Sequence, residues 1–145
     1  MDHEVDPKPE FIDRLIGNYR ILNKVGSGGM GTVYEAEDIR LRRRVALKLL
    51  RDGSPVDEQS VQRFRQEVLA ASSLNHPHIC TVYDAGEDRG IPYFAMELLD
   101  GQTLAEMIGA HPLQVETILR LGIEISDALD CAHANGMRAL ACPKL

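Results

Sequence analysis

A glycine-rich segment between two strand-like stretches constrains the fold of this chain more than any other feature of its sequence. Residues 19–25 and 32–38 have the pattern of strands, and they flank a six-residue segment that contains four glycines. That segment reads Gly26-Ser27-Gly28-Gly29-Met30-Gly31. Strand-like stretches joined by a short glycine-rich segment are typical of a β-hairpin, so the pattern predicts a hairpin here rather than the start of a helix.

The glycine spacing Gly26-x-Gly28-x-x-Gly31 is also compatible with phosphate binding. Glycines adopt positive φ angles and let the backbone approach a ligand closely, and free N–H groups then donate to the anion. In a dinucleotide-binding turn the last glycine opens a helix. Here Gly31 is followed by the β-branched pair Thr32-Val33, which disfavours that class. The Gly-Lys-Ser/Thr ending of a Walker loop is missing too, and an ordinary glycine-rich turn remains an alternative.

A lysine lies inside a short, mostly apolar stretch, residues 44–50. Since side chains alternate between the two faces of a strand, Ala46, Lys48 and Leu50 share one face. A lysine in such a strand requires a carboxylate partner or an anionic ligand. Taken alone, Lys48 could also extend its amine to solvent.

The predicted helix over residues 57–74 supplies a carboxylate for this lysine. At 100° per residue, its inward stripe consists of Phe64, Val68, Ala71 and Leu74, and Glu67 falls inside that stripe. A glutamate on an inward face requires a cation, so Glu67 is the expected partner of Lys48. A position at the edge of the helix is the alternative for Glu67 taken alone.

The remaining elements complete a fold with five strands, one helix between the third and fourth strands, and two final helices. Further strands are predicted at 79–84 and 92–98, joined by a polar loop at 85–90. Thr103-Leu104-Ala105-Glu106 is a capping-box pattern that opens a short helix. A long amphipathic helix follows and ends at Asn135-Gly136.

Charge and cysteine content exclude several classes of protein. Sixteen basic and 22 acidic residues give a net charge of −6, which argues against a nucleic-acid or anionic-membrane partner. Three cysteines without metal-ligand spacing are typical of reduced thiols. The acidic, proline-containing start is unlike a signal peptide, and no apolar run reaches the roughly 20 residues of a membrane span. We therefore expect a cytoplasmic protein without a membrane segment.

Three motifs together resemble the N-terminal lobe of the protein kinase family, in the style of bacterial Ser/Thr kinases. They are Val25-Gly26-Ser27-Gly28-Gly29-Met30-Gly31-Thr32-Val33-Tyr34, Val45-Ala46-Leu47-Lys48 and Arg63-Phe64-Arg65-Gln66-Glu67. The resemblance implies an α+β fold, with a five-stranded antiparallel sheet and an αC helix followed by two helices of an incomplete C-terminal lobe. It also implies the N-terminal lobe at 19–99, a partial C-terminal lobe at 100–137 and a non-matching tail at 138–145. Residues 1–18 lack periodicity and contain prolines and several acids, which predicts a mobile tail, with a short docked helix of Phe11, Ile12, Leu15 and Ile16 as the alternative.

The resemblance also implies a set of ATP-binding residues. In the family the glycine loop covers the phosphates, Lys48 would hold the α- and β-phosphates, and Glu67 would orient Lys48. Met96 matches the gatekeeper, and the backbone of residues 97–99 would pair with the adenine edge. The ATP-binding residues expected are Val25, Gly26, Ser27, Gly28, Gly29, Met30, Gly31, Val33, Ala46, Lys48, Glu67, Met96, Glu97 and Leu99. The histidines His76 and His78 fall in a loop and are not expected to bind a metal.

The pattern departs from the family after Met137. The catalytic loop and the Mg²⁺ ligands of the family are not found, because no Asp, Glu or Asn follows Asn135. No catalytic residue is identifiable beyond Lys48 and Glu67, and no metal ligand is identifiable, although the intact family uses Mg²⁺ and a protein substrate. A disrupted kinase gene and a genuine non-catalytic, pseudokinase-like nucleotide-binding or interaction module both fit this ending. The helix at 113–135 would expose an apolar stripe through which a partner or a second copy could bind.

Overall fold

The structure is a computed structural model that describes residues 11–28, 31–50 and 57–137, with Gly28, Glu67 and Ala110 described by their backbone alone. Two compact units divide the chain. The first comprises Met1–Phe64 and Tyr83–Leu98, and the second comprises Arg65–Val82 and Leu99–Leu145. Most of the predicted tail at 1–18 and the whole non-matching tail at 138–145 lie outside the described residues.

The strands of the first unit form one six-stranded sheet with the order β1-β2-β3-β4-β6-β5. The pairs β1–β2, β2–β3, β3–β4 and β4–β6 are antiparallel. In chain order, the strands and helices of the described residues are β1 (Leu15–Ile16), β2 (Tyr19–Gly28), β3 (Gly31–Asp38), β4 (Arg43–Leu49), α1 (Glu58–Ser72), β5 (Val82–Asp88), β6 (Ile91–Met96), α2 (Leu104–Ala110) and α3 (Val115–Ala134).

The sheet contains one strand more than the five predicted, and it lies in the segment predicted as a mobile tail. Leu15 and Ile16 pair with Arg20 and Tyr19 to form β1. The turn between the two strands contains Gly17 at φ 56°. The apolar side chains of Phe11 and Ile16 are buried in the core of the sheet, so this segment docks on the sheet as a strand and not as the short helix given as the alternative. A two-residue strand is too short to produce a periodic signal in the sequence.

One face of the sheet packs on the hydrophobic core. Side chains of β4 alternate as predicted, with Val45, Leu47 and Leu49 in the core and Ala46 and Lys48 on the opposite face. The buried core cluster comprises Phe11, Ile16, Tyr19, Ile21, Tyr34, Ala36, Val45, Leu47, Leu49, Tyr93 and Ala95.

The sheet curls until its two ends meet. Strands β1 and β5 are the outermost strands, yet the Gly17 N–H donates to Asp88 Oδ2 at 3.3 Å and the Tyr19 hydroxyl donates to Asp84 Oδ2 at 2.9 Å. Tyr93 fills the seam, because a Cβ added to Gly86 would lie 2.7 Å from its hydroxyl oxygen. Burial, together with the hydrogen bond to Asp84, raises the pKa of Tyr19 well above its usual value. The curl therefore depends on small residues and buried hydroxyls at the seam.

The second unit contains the two final helices. Thr103 caps α2 in the predicted capping box, with its hydroxyl accepting from the Glu106 N–H at 3.2 Å. Helix α3 ends at Asn135, and Gly136 follows at φ 78°. The apolar stripe of α3 remains largely exposed, with Val115 at 71% and Ile118 at 52%, and none of its described residues is buried.

Within residues 11–28, 31–50 and 57–137, no helix combines the length and apolar character needed to cross a bilayer.

Candidate functional site

The candidate site is built around Lys48, whose side chain is only 7% exposed. Its position follows from the register of three neighbouring strands, in which Val33 on β3 and Phe94 on β6 lie directly opposite Lys48 on β4. The Lys48 ammonium nitrogen lies 5.6 Å from the centre of the Phe94 ring. A cation over an aromatic face is attracted by the ring's electrons, so Phe94 stabilises the buried amine.

Val33, Lys48 and Phe94 form one row of side chains across the three strands, and a second row lies beside it. Ala46 is directly opposite Met96 on one side and Glu35 on the other. Side chains two residues apart on a strand share a face, so this row and the row of Val33, Lys48 and Phe94 lie on the same face, opposite the core. The register therefore brings four of the predicted site residues together, and these are Val33, Ala46, Lys48 and Met96.

The glycine hairpin stands at the end of this face. Gly26 pairs with Val33 and Gly28 pairs with Gly31, which confirms the predicted hairpin and leaves a two-residue tip. That tip, Gly29 and Met30, lies outside the described residues. The register shifts between Lys24 and Gly26, so the strand is irregular just before the hairpin.

Gly31 has a conformation that requires glycine. Its φ angle is 139°, and an added Cβ would overlap the backbone oxygen of Leu49 and lie 3.1 Å from the Leu49 carbonyl carbon. The backbone of β3 thus passes very close to β4 at the base of the hairpin. The absence of a side chain at Gly31 therefore lets the two strands pack closely at this point.

The predicted hinge follows β6. Met96 and Glu97 are half-buried, and Leu99 is 67% exposed. Val25, the predicted apolar residue before the hairpin, is 60% exposed. Beyond β6 the chain runs without helix or strand through residues 97–103.

The predicted partner of Lys48 is described only in part. Glu67 belongs to α1, but its side chain lies outside the described residues, so its predicted pairing with Lys48 stays a prediction. The predicted inward stripe of this helix is buried at Phe64, Val68 and Leu74, and half-buried at Ala71. Within the first unit the Phe64 ring lies 5.2 Å from the Phe94 ring, centre to centre.

Two residues of the site were not among those predicted. Phe94 contacts Lys48, and Glu35 ends the second row, where it accepts from the Arg44 guanidinium and from the Asn23 amide at 3.2 Å. Alternation within β6 could have identified Phe94, since it lies two residues before Met96. No group of three or more His, Cys, Asp or Glu able to hold a metal ion occurs in the part of the chain that the structure describes.

Comparison with known proteins gives consistent matches. A family model described as the protein kinase domain matches residues 19–138. The serine/threonine-protein kinase PrkC of Bacillus subtilis is 46% identical over 123 residues, which cover 84% of this chain and 19% of that protein. PknB of Mycobacterium leprae is 37% identical over 134 residues, 89% of this chain and 21% of that protein.

Solved structures give the same result. The crystal structure of the Mycobacterium tuberculosis PknI kinase domain matches with a TM-score of 0.72 and 30% sequence identity, over 86% of this chain and 51% of that one. The chain thus spans about a fifth of the length of the curated relatives it matches, and about half of the solved kinase domain.

Proposed function

Because the chain belongs to the protein kinase domain family, we propose that it forms the ATP-binding portion of a protein serine/threonine kinase. The relatives named above are Ser/Thr protein kinases, and this chain covers part of such a domain. Phosphoryl transfer from ATP to a Ser or Thr hydroxyl of a protein substrate is proposed for the intact protein.

One observation carries the proposal: the buried Lys48 shares a face with Val33, Ala46 and Met96, beside the glycine hairpin. This combination suits a nucleotide better than an ordinary hairpin turn. The apolar side chains of Val33 and Ala46 would contact the two sides of an adenine ring. The ammonium group of Lys48 would neutralise phosphate charge in a site of low dielectric, where a charge-assisted hydrogen bond is strong.

The glycine segment and the hinge complete the proposed site. Backbone N–H groups of residues 26–31 would donate to the phosphate oxygens. The backbone of residues 97–99 would pair with the adenine edge, with Met96 limiting access beside it. Val25 would cover the ring from the start of the hairpin, and Glu67 would orient Lys48.

The described residues do not fit a Mg²⁺ site. Mg²⁺ prefers carboxylate oxygens together with phosphate and water, and no suitable group of acidic side chains occurs in the described ranges. Protein kinases in general use ATP with Mg²⁺. We expect the 145-residue chain to bind ATP with little dependence on Mg²⁺ and to transfer no phosphate.

Titration with a fluorescent ATP analogue tests the proposed function. Replacing Lys48 with Met should weaken binding about 10-fold or more, because a charge-assisted hydrogen bond contributes about 1.5–3 kcal/mol. Lys24→Met is the matched control. Lys24 is an exposed lysine of β2, and its partner across the strands is Tyr34 and not a residue of the candidate site. Equal weakening by both substitutions, or no binding by the unmodified chain, would refute the proposal.

The exposed apolar stripe of α3 favours a second candidate function, a non-catalytic module that docks a partner or a second copy. Val115 and Ile118 of this stripe are 71% and 52% exposed, and apolar patches of this kind often mark contact surfaces. Analytical ultracentrifugation discriminates the two proposals. A monomer that binds ATP supports the first alone, whereas concentration-dependent association lost in Ile118→Ser supports the second.

A cytoplasmic location is part of the first proposal. Among the described residues, Cys80 and Cys131 are not joined in a disulfide, which accords with a reducing compartment. The net charge of −6 likewise disfavours binding to nucleic acid.

A further inference from the structure

A compact group of arginines lies in the turn between β3 and β4 and at the start of β4. Residues 39–44 contain four arginines and no acidic residue, although acidic residues outnumber basic residues in the chain as a whole. All six residues are exposed, and they include the apolar side chains of Ile39 and Leu41, which are 38% and 63% exposed. This segment, the basic turn, therefore presents positive charge and apolar surface together.

The backbone of the basic turn has a defined conformation. The buried carboxylate of Asp38 accepts the N–H groups of Arg40 and Leu41 at 3.0 and 3.1 Å. Arg42 closes the turn at a φ angle of 52°, in the left-handed region. Because these contacts fix the backbone of the turn, little backbone entropy is lost when a partner binds to it.

The arginines differ in whether the protein itself neutralises their charge. Arg44 forms an ion pair with a glutamate of β3. Arg43 stacks on the Tyr83 ring, with its guanidinium carbon 3.8 Å from the ring centre, and a stacked guanidinium can still donate from its edge. Arg40 and Arg42 form no ion pair with any residue in the described ranges. Three arginines of the basic turn thus have donors to offer to an anionic partner.

The chemistry of the basic turn favours a short acidic protein segment as its partner. A guanidinium group donates two parallel hydrogen bonds to a carboxylate, and the exposed Leu41 can pack on an apolar side chain between such carboxylates. An extended anionic surface, such as nucleic acid or a lipid bilayer, would also face the rest of a chain whose net charge is −6. A short segment avoids that repulsion, because exposed charges interact mainly within about 8–10 Å at ordinary ionic strength.

We propose that the basic turn is a docking site for an acidic segment of a protein partner, in which an apolar residue is flanked by Asp or Glu. Arg40, Arg42 and Arg43 bind the carboxylates, and Leu41 contacts the apolar residue. The glycine hairpin lies at the opposite end of β3, about 23 Å away at about 3.3 Å per residue. Docking at the basic turn therefore does not require ATP, and it stands or falls independently of the proposed nucleotide site.

Nuclear magnetic resonance on the ¹⁵N-labelled 145-residue chain tests where an acidic segment binds. The probe is a synthetic five-residue peptide with a central leucine between two pairs of glutamates, and the control peptide has glutamine in place of each glutamate. The acidic peptide should shift the amide signals of residues 38–44 and of Tyr83 with or without ATP, and about 0.5 M salt should remove most of this shift. No shift at the basic turn, or equal shifts with the control peptide, would overturn the proposal.

Charge reversal at the basic turn tests its contribution to affinity. Arg42→Glu should weaken binding of the acidic peptide about 10-fold or more, because a charge-assisted hydrogen bond is lost and a repulsive charge is added. Arg89→Glu is the matched control, since Arg89 is an exposed arginine at a φ angle of 49° in the turn between β5 and β6. Leu41→Ser leaves the charge unchanged and should weaken binding about 5-fold. Equal affinities of Arg42→Glu and Arg89→Glu, both folded by circular dichroism, would contradict docking at this turn, as would full affinity in Leu41→Ser.

Two other occupants of the basic turn are distinguished by the same variant. Binding of the unmodified chain to phosphatidylglycerol vesicles, lost in Arg42→Glu, would assign the basic turn to a membrane. Concentration-dependent association of the chain alone, lost in Arg42→Glu, would assign it to a second copy. Either result would overturn the proposal, and we expect neither.

Discussion

Replacing Gly31 with Ala is the sharpest test of the geometry at the base of the glycine hairpin. The substitution creates two separate costs. The φ angle of 139° lies in a region that side chains rarely adopt, and the new Cβ overlaps the backbone oxygen of Leu49. Strain at such a φ angle costs about 1–3 kcal/mol, and an added methyl group without space costs about 1–3 kcal/mol more. We therefore expect the free energy of unfolding to fall by about 2–6 kcal/mol in total.

Gly90→Ala is the matched control for this substitution. Gly90 also has a positive φ angle, 79°, but an added Cβ would meet no atom within 4 Å. Both glycines belong to the first unit. The control therefore carries only the backbone strain of about 1–2 kcal/mol for a left-handed residue. In both variants alanine lowers the conformational entropy of the unfolded chain. This effect offsets the loss of stability by the same amount in each variant, about 0.4–1 kcal/mol.

Urea unfolding followed by circular dichroism measures the difference between the two variants. A difference of about 2 kcal/mol separates the unfolding midpoints by about 1 M urea when the slope is about 2 kcal/mol per molar. Gly31→Ala should have the lower midpoint. Equal midpoints for Gly31→Ala and Gly90→Ala would show that β3 and β4 do not approach as closely as described.

Three further predictions follow from the seam, the capping box and α3. The raised pKa of Tyr19 means that the folded state keeps a proton that the unfolded state releases above pH of about 10. This stabilisation is complete below that pH and is lost as pH rises. Above that pH, the melting temperature of Tyr19→Phe should therefore fall less steeply with pH than that of the unmodified chain; the same pH dependence in both proteins would contradict this. Hydrogen bonds from the backbone and hydroxyl of Thr103 lower the pKa of Glu106, so carboxyl titration by nuclear magnetic resonance should show its midpoint rising in Thr103→Ala, and an unchanged midpoint would refute the capping box. Ile123 is 70% exposed, so Ile123→Ser should change the free energy of unfolding by less than about 0.5 kcal/mol; a loss of several kcal/mol would show a buried face.

The sequence predicted the face of the sheet that carries the candidate site. Alternation around Lys48 indicated that it shares a face with Ala46, and the glycine pattern indicated the hairpin. Both were confirmed, because strand periodicity and turn chemistry are local properties that neighbouring residues determine. The strand register, which brings Val33 and Met96 to this face, depends on pairing between distant segments, and only the structure supplied it.

Other features were beyond sequence reasoning for physical reasons. Strand β1 has two residues and no period, so no pattern in the sequence predicted it. The closure of the sheet through Tyr19 and Asp84 depends on the cumulative twist of six strands. The period of α3 showed that one face of the helix is apolar, but a period cannot show what covers that face, and Ile118 is 52% exposed.

Hydrogen exchange of the chain with and without ATP tests the central claim, that the face around Lys48 and the glycine hairpin forms a nucleotide site. We predict that ATP slows amide exchange at residues 26–33, along β4 and at the hinge residues 97–99. Exchange along β5 should not change, because β5 is an outermost strand of the sheet and β6 separates it from β4. Protection confined to the first three regions would support the account. Unchanged exchange at saturating ATP, or protection elsewhere without any in the hairpin, would contradict it.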